Sequence, residues 1–231
     1  MPIFALDQEL IFPPADLADP NGIIAVGGDL SPERLILAYE SGIFPWFSER
    51  DPIIWWSPDP RCVLFPQNLK VSKSMRQVMR KDKFSITYDH AFREVIAACR
   101  KAPRPGQNGT WITPDMLEAY DVLHRKGYAH SVEVWENEEL VGGLYGVSLG
   151  KCFFGESMFA RVSNASKVGF ITLVRDLIEK EFELIDCQVY TEHLVSLGAE
   201  EISRRDFLKK LQKNRKNDDL AGNWGEVFGR K

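Results

Sequence analysis

The chain has few cysteines. There are four in 231 residues (Cys62, Cys99, Cys152 and Cys187), and none forms a CxxC pair or stands at zinc-like spacing from a histidine. That argues against a zinc ribbon or a disulfide framework, and scattered thiols point to a reducing compartment. No run of 18 apolar residues occurs, so no membrane-spanning helix is expected. Positive charge is not in excess, because the net charge is −4. Any nucleic-acid contact must therefore come from a local patch. Internal repeats, low-complexity tracts and a glycine-rich phosphate loop are also lacking. The opening residues MPIFALDQELIFPP carry acids and prolines instead of a basic stretch and an apolar run, so no secretory leader is expected and the cytoplasm is.

What is present is ordinary for a globular chain: 44% apolar and 27% charged residues, enough length to bury a full core. Residues 1–65 hold most of the prolines and three of the six tryptophans, in FPP, DPNG, FPW and DPIIWWSPDPR. Proline fixes φ and breaks ladders, so this stretch reads as a small module of short elements and rigid turns, weakly stable alone. One helix is predicted in PERLILAYESG, with Asp29 or Ser31 as cap. Residues 66–231 alternate between the two periodicities. Helices are predicted over 71–81, 91–101 and 113–127, and a strand over FSITYD. Residues 131–159 read as three strands turning at ENEE and SLGK, an antiparallel meander. An amphipathic helix with a Ser or Asn cap follows in SNASKVGFITLVRDLIEK, then the strand ELIDCQVY, a short helix around HLVSLG and a basic, partly helical tail. The class is α/β (α+β), with the order of elements seen in acetyltransferase-like mixed-sheet domains.

Asp186 and Gln188 stand at i and i+2 on the ELIDCQVY strand, so they share a face while Cys187 points away. An Asp beside a Gln can orient its carboxamide, whose oxygen then accepts from an amine; the alternative is a polar strand end. Glu156, in GESMF, is a carboxylate that would hold a cationic group, or else pair with Lys167 or Arg161. Leu144, Met158, Phe170, Leu173, Leu177 and Ile185 fit either an apolar slot or plain core. Lys73, Arg76, Arg80, Lys81 and Lys83 form a dense basic cluster, read as phosphate-binding or as a solvated face. The four histidines form no triad motif.

Five groups of residues carry more specific information. They are GGDLSPERLILAYESGIFPWF with WWSPDPR, GTWITPDMLEAY, HSVEVWENEELVGGLYGV, FFGESMF, and LIDCQV with SLGAEEISRRDF. Together, from about residue 21 to 207, they closely resemble the leucyl/phenylalanyl-tRNA–protein transferases. The resemblance implies a small N-terminal domain on an acetyltransferase-like catalytic domain. It implies transfer of Leu or Phe, with Met as a further candidate, from aminoacyl-tRNA to a protein beginning with Arg or Lys, marking it for degradation. It implies no metal and no coenzyme. Trp46 and Trp111 match tryptophans that cradle the terminal adenosine, and Asp186 and Gln188 match the pair that handles the attacking amine. An acyl-CoA transferase is the rival on the same fold, but RVSNASK lacks the glycines of a pyrophosphate loop. A non-catalytic RNA-binding module is the rival from another class. The apolar surface does not demand a dimer, so a monomer is expected.

Overall fold

The computed structural model describes residues 3–103 and 110–230; Gly109, the first residue of GTWIT, lies outside them. Two sheets are formed. The smaller has the order β1-β2-β4-β3, from Phe4–Leu6 (β1), Ile23–Gly27 (β2), Phe44–Pro45 (β3) and Ile54–Trp56 (β4). Trp55 and Trp56 therefore belong to one of the short elements of the proline-rich stretch, a strand. Trp55 is fully buried and its indole donates to the Gly27 carbonyl at 2.9 Å. Helix α1 (Pro32–Glu40) starts on Ser31, whose hydroxyl accepts from the Arg34 amide.

The larger sheet has seven strands, whose residue ranges explain its position around the site. They are β5 (Arg61–Leu64), β6 (Ser85–Tyr88), β7 (Ala129–Glu136), β8 (Glu139–Leu149), β9 (Cys152–Ala160), β10 (Leu184–Gln188) and β11 (Glu200–Ile202), in the order β11-β5-β10-β9-β8-β7-β6. The meander β7-β8-β9 turns where the chain was expected to, at Asn137–Glu138 and at Gly150. Within this sheet, among the described residues, only β9 and β10 run parallel, and their pairing stops at Asp186↔Phe154 while β9 continues to Ala160. The larger sheet takes its first strand, β5, ahead of residue 65, so the end of the proline-rich stretch is stitched into it.

The helices are α2 (Lys73–Arg80), α3 (Phe92–Lys101), α4 (Pro114–Arg125), α5 (Ala165–Glu179), α6 (Glu192–Ser196), α7 (Arg204–Asn214) and α8 (Trp224–Val227). The Thr113-Pro114 entry works as expected, with the Thr113 hydroxyl accepting from the Met116 amide at 3.2 Å. Helix α5 departs from its expected form. Asn164 occupies the cap position with φ 69° but makes no side-chain cap bond. Most of α5 is buried rather than one stripe, because it lies against β7, β8 and β9 and takes further cover from its neighbours. One apolar cluster joins Tyr39, Ile43, Phe44 and Trp55 of the small sheet's region to Tyr120, Phe154 and Phe207 of the large one. The small sheet and α1 thus share one apolar core with the larger sheet and its helices α4 and α7. Among the described residues, no helix is long and apolar enough to cross a membrane.

Candidate active site

Where β9 and β10 part, an apolar cavity of about 520 Å³ opens. Two β-bulges shape its polar end. In β9, Tyr145 pairs with Ser157 and Gly146 with Gly155, leaving Glu156 as the extra residue. In β10, Asp186 faces Val63 and Gln188 faces Cys62, so Cys187 is the extra residue there. Bulges re-aim side chains and occur beside functional sites. Gln188 itself has φ 63°, a left-handed conformation that is uncommon for a residue with a Cβ.

The two bulges meet in one hydrogen-bond network. Gln188 Nε2 donates to Glu156 Oε1 at 2.7 Å. Tyr39 donates to the same oxygen at 2.8 Å, and Tyr120 donates to Oε2 at 3.0 Å. The two phenol oxygens also lie in short contact, and with one proton each they share two protons among this contact and the two to Glu156. Burial pushes Glu156 up to about 7, against the pull of its three donors. Burial and the nearby carboxyl likewise push both phenols well up, so they stay protonated donors. Glu156 makes no ion pair with Lys167 or Arg161: its partners are neutral donors, which satisfy a buried carboxylate without importing a second charge.

Asp186 is placed differently from the expectation that it orients the Gln188 carboxamide directly. Both of its oxygens are taken by the Arg61 guanidinium, at 2.8 and 2.6 Å, and Oδ1 also accepts from the Gln188 backbone amide at 2.9 Å. Arg61 is in turn held between the rings of Phe44 and Phe207, at 4.7 and 4.5 Å, and donates to the Gly42 carbonyl at 3.2 Å. Asp186 therefore anchors the Gln188 backbone, and Glu156 orients its side chain. Cys187, the extra residue of the bulge, shares an apolar cluster with Ile185 and like it lines the cavity, so it does not point away from the site as alternation predicted. Burial and its contact with the Cys62 thiol push the Cys187 thiol up, with the contact as the larger cause.

The cavity wall includes Leu144, Met158, Phe170 and Ile185 from the expected slot, with Trp46 and Trp111, both half-buried. Trp46 rests on Trp56, centroids 5.5 Å apart, and the Trp56 indole donates to the Trp46 carbonyl. Leu173 and Leu177 do not line it. They are fully buried further along α5, in the apolar cluster that supports the wall. On α2, Lys73, Arg76 and Arg80 are exposed, as are Lys81 and Lys83 just beyond it. Lys83 is paired with Glu136 at 2.9 Å. Met75 seats α2 on the same apolar cluster as Leu144 and Ile185.

Tyr39, Tyr120 and Arg61 were not singled out from the sequence. Arg61 closes the WWSPDPR motif, Tyr120 closes GTWITPDMLEAY and Tyr39 lies within GGDLSPERLILAYESGIFPWF, so each carried a motif signal that was there to follow. Among the described residues, no group of three or more His, Cys, Asp or Glu is placed to hold a metal ion.

The model of the leucyl/phenylalanyl-tRNA protein transferase family matches residues 63–212, and that of the family's N-terminal domain matches residues 28–59. A leucyl/phenylalanyl-tRNA–protein transferase of Syntrophobacter fumaroxidans is 60% identical over 214 residues, 93% of this chain and 92% of that one. One of Syntrophotalea carbinolica is 58% identical over 212 residues, 92% of each chain. Likeness to solved structures is slight: an aminoglycoside acetyltransferase from a soil metagenomic sample gives a TM-score of 0.39 at 13% identity, over 57% of this chain and 89% of that one. The sequence matches make the protein an aminoacyltransferase. The chain belongs to the leucyl/phenylalanyl-tRNA–protein transferase family.

Proposed function

We propose that the protein moves Leu or Phe, and also the similarly sized Met, from aminoacyl-tRNA to the N-terminal Arg or Lys of acceptor proteins, in the cytoplasm, as a mark for degradation. The observation that carries this reading is the contact between Gln188 and Glu156 at the mouth of an apolar cavity with Trp46 and Trp111 in its wall. An apolar aminoacyl side chain would enter between Leu144, Met158, Phe170 and Ile185. The terminal adenine would stack on the indoles, a contact worth roughly 1–3 kcal/mol per base.

The donor is already an activated ester, so neither ATP nor a coenzyme is required. The acceptor α-amine has a pKa of about 7.7–8.0, so part of it is neutral at pH 7. Its attack on the ester carbonyl forms a C–N bond and expels the ribose 3′ oxygen. With its amide nitrogen held by Glu156, Gln188 presents its carboxamide oxygen to the amine and aligns it, which is the contribution of proximity and orientation. Once ionised, above its raised value of about 7, Glu156 also supplies negative charge close to where a cationic acceptor residue would lie. The exposed face of Lys73, Arg76 and Arg80 would meet tRNA phosphates, giving salt-dependent, sequence-blind affinity.

The test is transfer of labelled leucine from leucyl-tRNA to one protein in two forms, beginning with Arg or with Ala. Gln188→Ala and an acetyl-CoA donor serve as comparisons. Labelling of the Arg form alone, lost in Gln188→Ala, is the expected result. Acylation from the CoA thioester with none from aminoacyl-tRNA would overturn the reading.

A further inference from the structure

The transfer just proposed has to move one proton, from the attacking nitrogen to the ribose 3′ oxygen that leaves. The groups so far assigned are poorly placed to carry it. Both oxygens of Asp186 are gripped by Arg61. Glu156, raised to about 7, titrates in the right range, but Tyr39, Tyr120 and Gln188 occupy both of its oxygens. A carboxamide such as that of Gln188 accepts a hydrogen bond but is too weak a base to hold a proton near neutral pH.

His193 stands in the wall of the same cavity, in the first turn of α6, five residues beyond Gln188. Its Nε2 is shut off from bulk water and has no hydrogen-bond partner among the described residues. Buried polar atoms are nearly always paired, and this one is covered by the protein alone, so a bound molecule becomes its partner once the imidazole turns toward the cavity. Thr191 fixes the residue's position, since its hydroxyl caps α6 by accepting from the Leu194 amide at 3.2 Å. Burial and the nearby Lys167 charge push the His193 imidazole down, so it is neutral at pH 7. A neutral imidazole has a lone pair to offer.

We propose that His193 is a further catalytic residue, which contacts the substrates in the cavity and shuttles the proton between them. As the C–N bond forms, Nε2 takes the proton from the nitrogen. As the C–O3′ bond breaks, the imidazolium returns it to the ribose oxygen. Charge and protons balance, no co-reactant is needed, and the ring ends as it began. The role rests on the aminoacyl-tRNA reading given above.

The experiment is single-turnover transfer from leucyl-tRNA to an Arg-started peptide by the wild-type chain, His193→Ala and His193→Gln, with and without added imidazole. Proton transfer by a positioned side chain is worth on the order of 10²–10⁴-fold. Both variants should lose at least about 10²-fold in the transfer rate. Their unfolding midpoints and their tRNA affinity should stay unchanged, and imidazole should restore part of the rate to His193→Ala. A loss smaller than tenfold in His193→Ala, or full activity in His193→Gln, overturns the shuttle, the latter because Gln hydrogen-bonds without titrating. A rate loss that imidazole leaves untouched overturns it too. Failure of the wild-type chain to transfer at all would sink the aminoacyl-tRNA reading itself, and is told apart by being seen before any variant is compared.

Discussion

Arg61 and Asp186, on the neighbouring antiparallel strands β5 and β10 but not in register, are joined by two parallel hydrogen bonds, Nε to Oδ1 at 2.8 Å and Nη2 to Oδ2 at 2.6 Å, with both side chains fully buried. The fork of a guanidinium matches a carboxylate in this way, whereas an ammonium does not. The pair fixes the end of β10 from which Gln188 projects.

Removing one member of such a pair leaves a buried charge uncompensated. Asp186→Asn is therefore expected to lower the unfolding free energy by about 3–5 kcal/mol as well as activity. Gln188→Ala should abolish transfer at a distinctly smaller cost in stability, since it removes one of three donors to Glu156. Urea unfolding of the two variants decides this. Equal destabilisation would show that Asp186 is not the anchor described.

Glu156 makes stability depend on pH. Its carboxyl is raised from 4.5 to about 7, so between those values the native state binds the proton that the unfolded chain has released. Stability should then fall as pH rises from about 4.5 to 7, by about 3 kcal/mol from this group alone, and stay level above that. Glu156→Gln cannot titrate and lacks this fall. Denaturation at pH 5 and pH 8 should thus show the variant gaining on the wild type at the higher pH. A difference that does not change with pH would rule out the raised carboxyl.

Leu144 and Leu173 separate the cavity wall from the core behind it. Leu144→Ala widens the slot and should shift preference toward Phe over Leu in competition between the two charged tRNAs. Leu173→Ala should cost about 2–5 kcal/mol of stability with the preference unchanged. Competition assays beside melting curves separate the two effects, and a shifted preference in Leu173→Ala would place that residue in the slot after all.

The exposed face of α2 should act through charge alone. Arg76→Glu with Arg80→Glu should raise KM for aminoacyl-tRNA and make the salt dependence shallower, with log K against log salt losing about 0.7–0.9 per phosphate contact removed. Lys83→Ala should do less, because Lys83 is already paired with Glu136. Salt titrations of tRNA binding measure both, and an unchanged slope would return the cluster to a solvated face.

Several parts of the fold were legible in the chain because they rest on local rules. Helix α4 is announced by Thr113-Pro114 and closed by Gly127, whose φ is 80°. The meander is announced by alternation and by its two turns. The slot residues Leu144, Met158, Phe170 and Ile185 share an apolar character that a cavity wall and a core both require. For the same reason Leu173 and Leu177 were grouped with them, although periodicity along a helix cannot tell how far down its length the cavity reaches.

By itself the sequence determined the periodic elements, the family and the identity of the polar trio, since motifs and periodicity are written in neighbouring residues. Tertiary structure alone decided what that trio does to itself. Arg61 meets Asp186 across 125 residues of chain and Tyr39 meets Glu156 across 117, and no local pattern records such partners. The two bulges are equally invisible, because an extra residue in a strand shows only against the partner strand's register. Their effect is to turn Glu156 and Gln188 onto each other, leaving Asp186 to Arg61. That division of roles follows from burial: a charge withdrawn from water takes whichever partner the fold brings within reach.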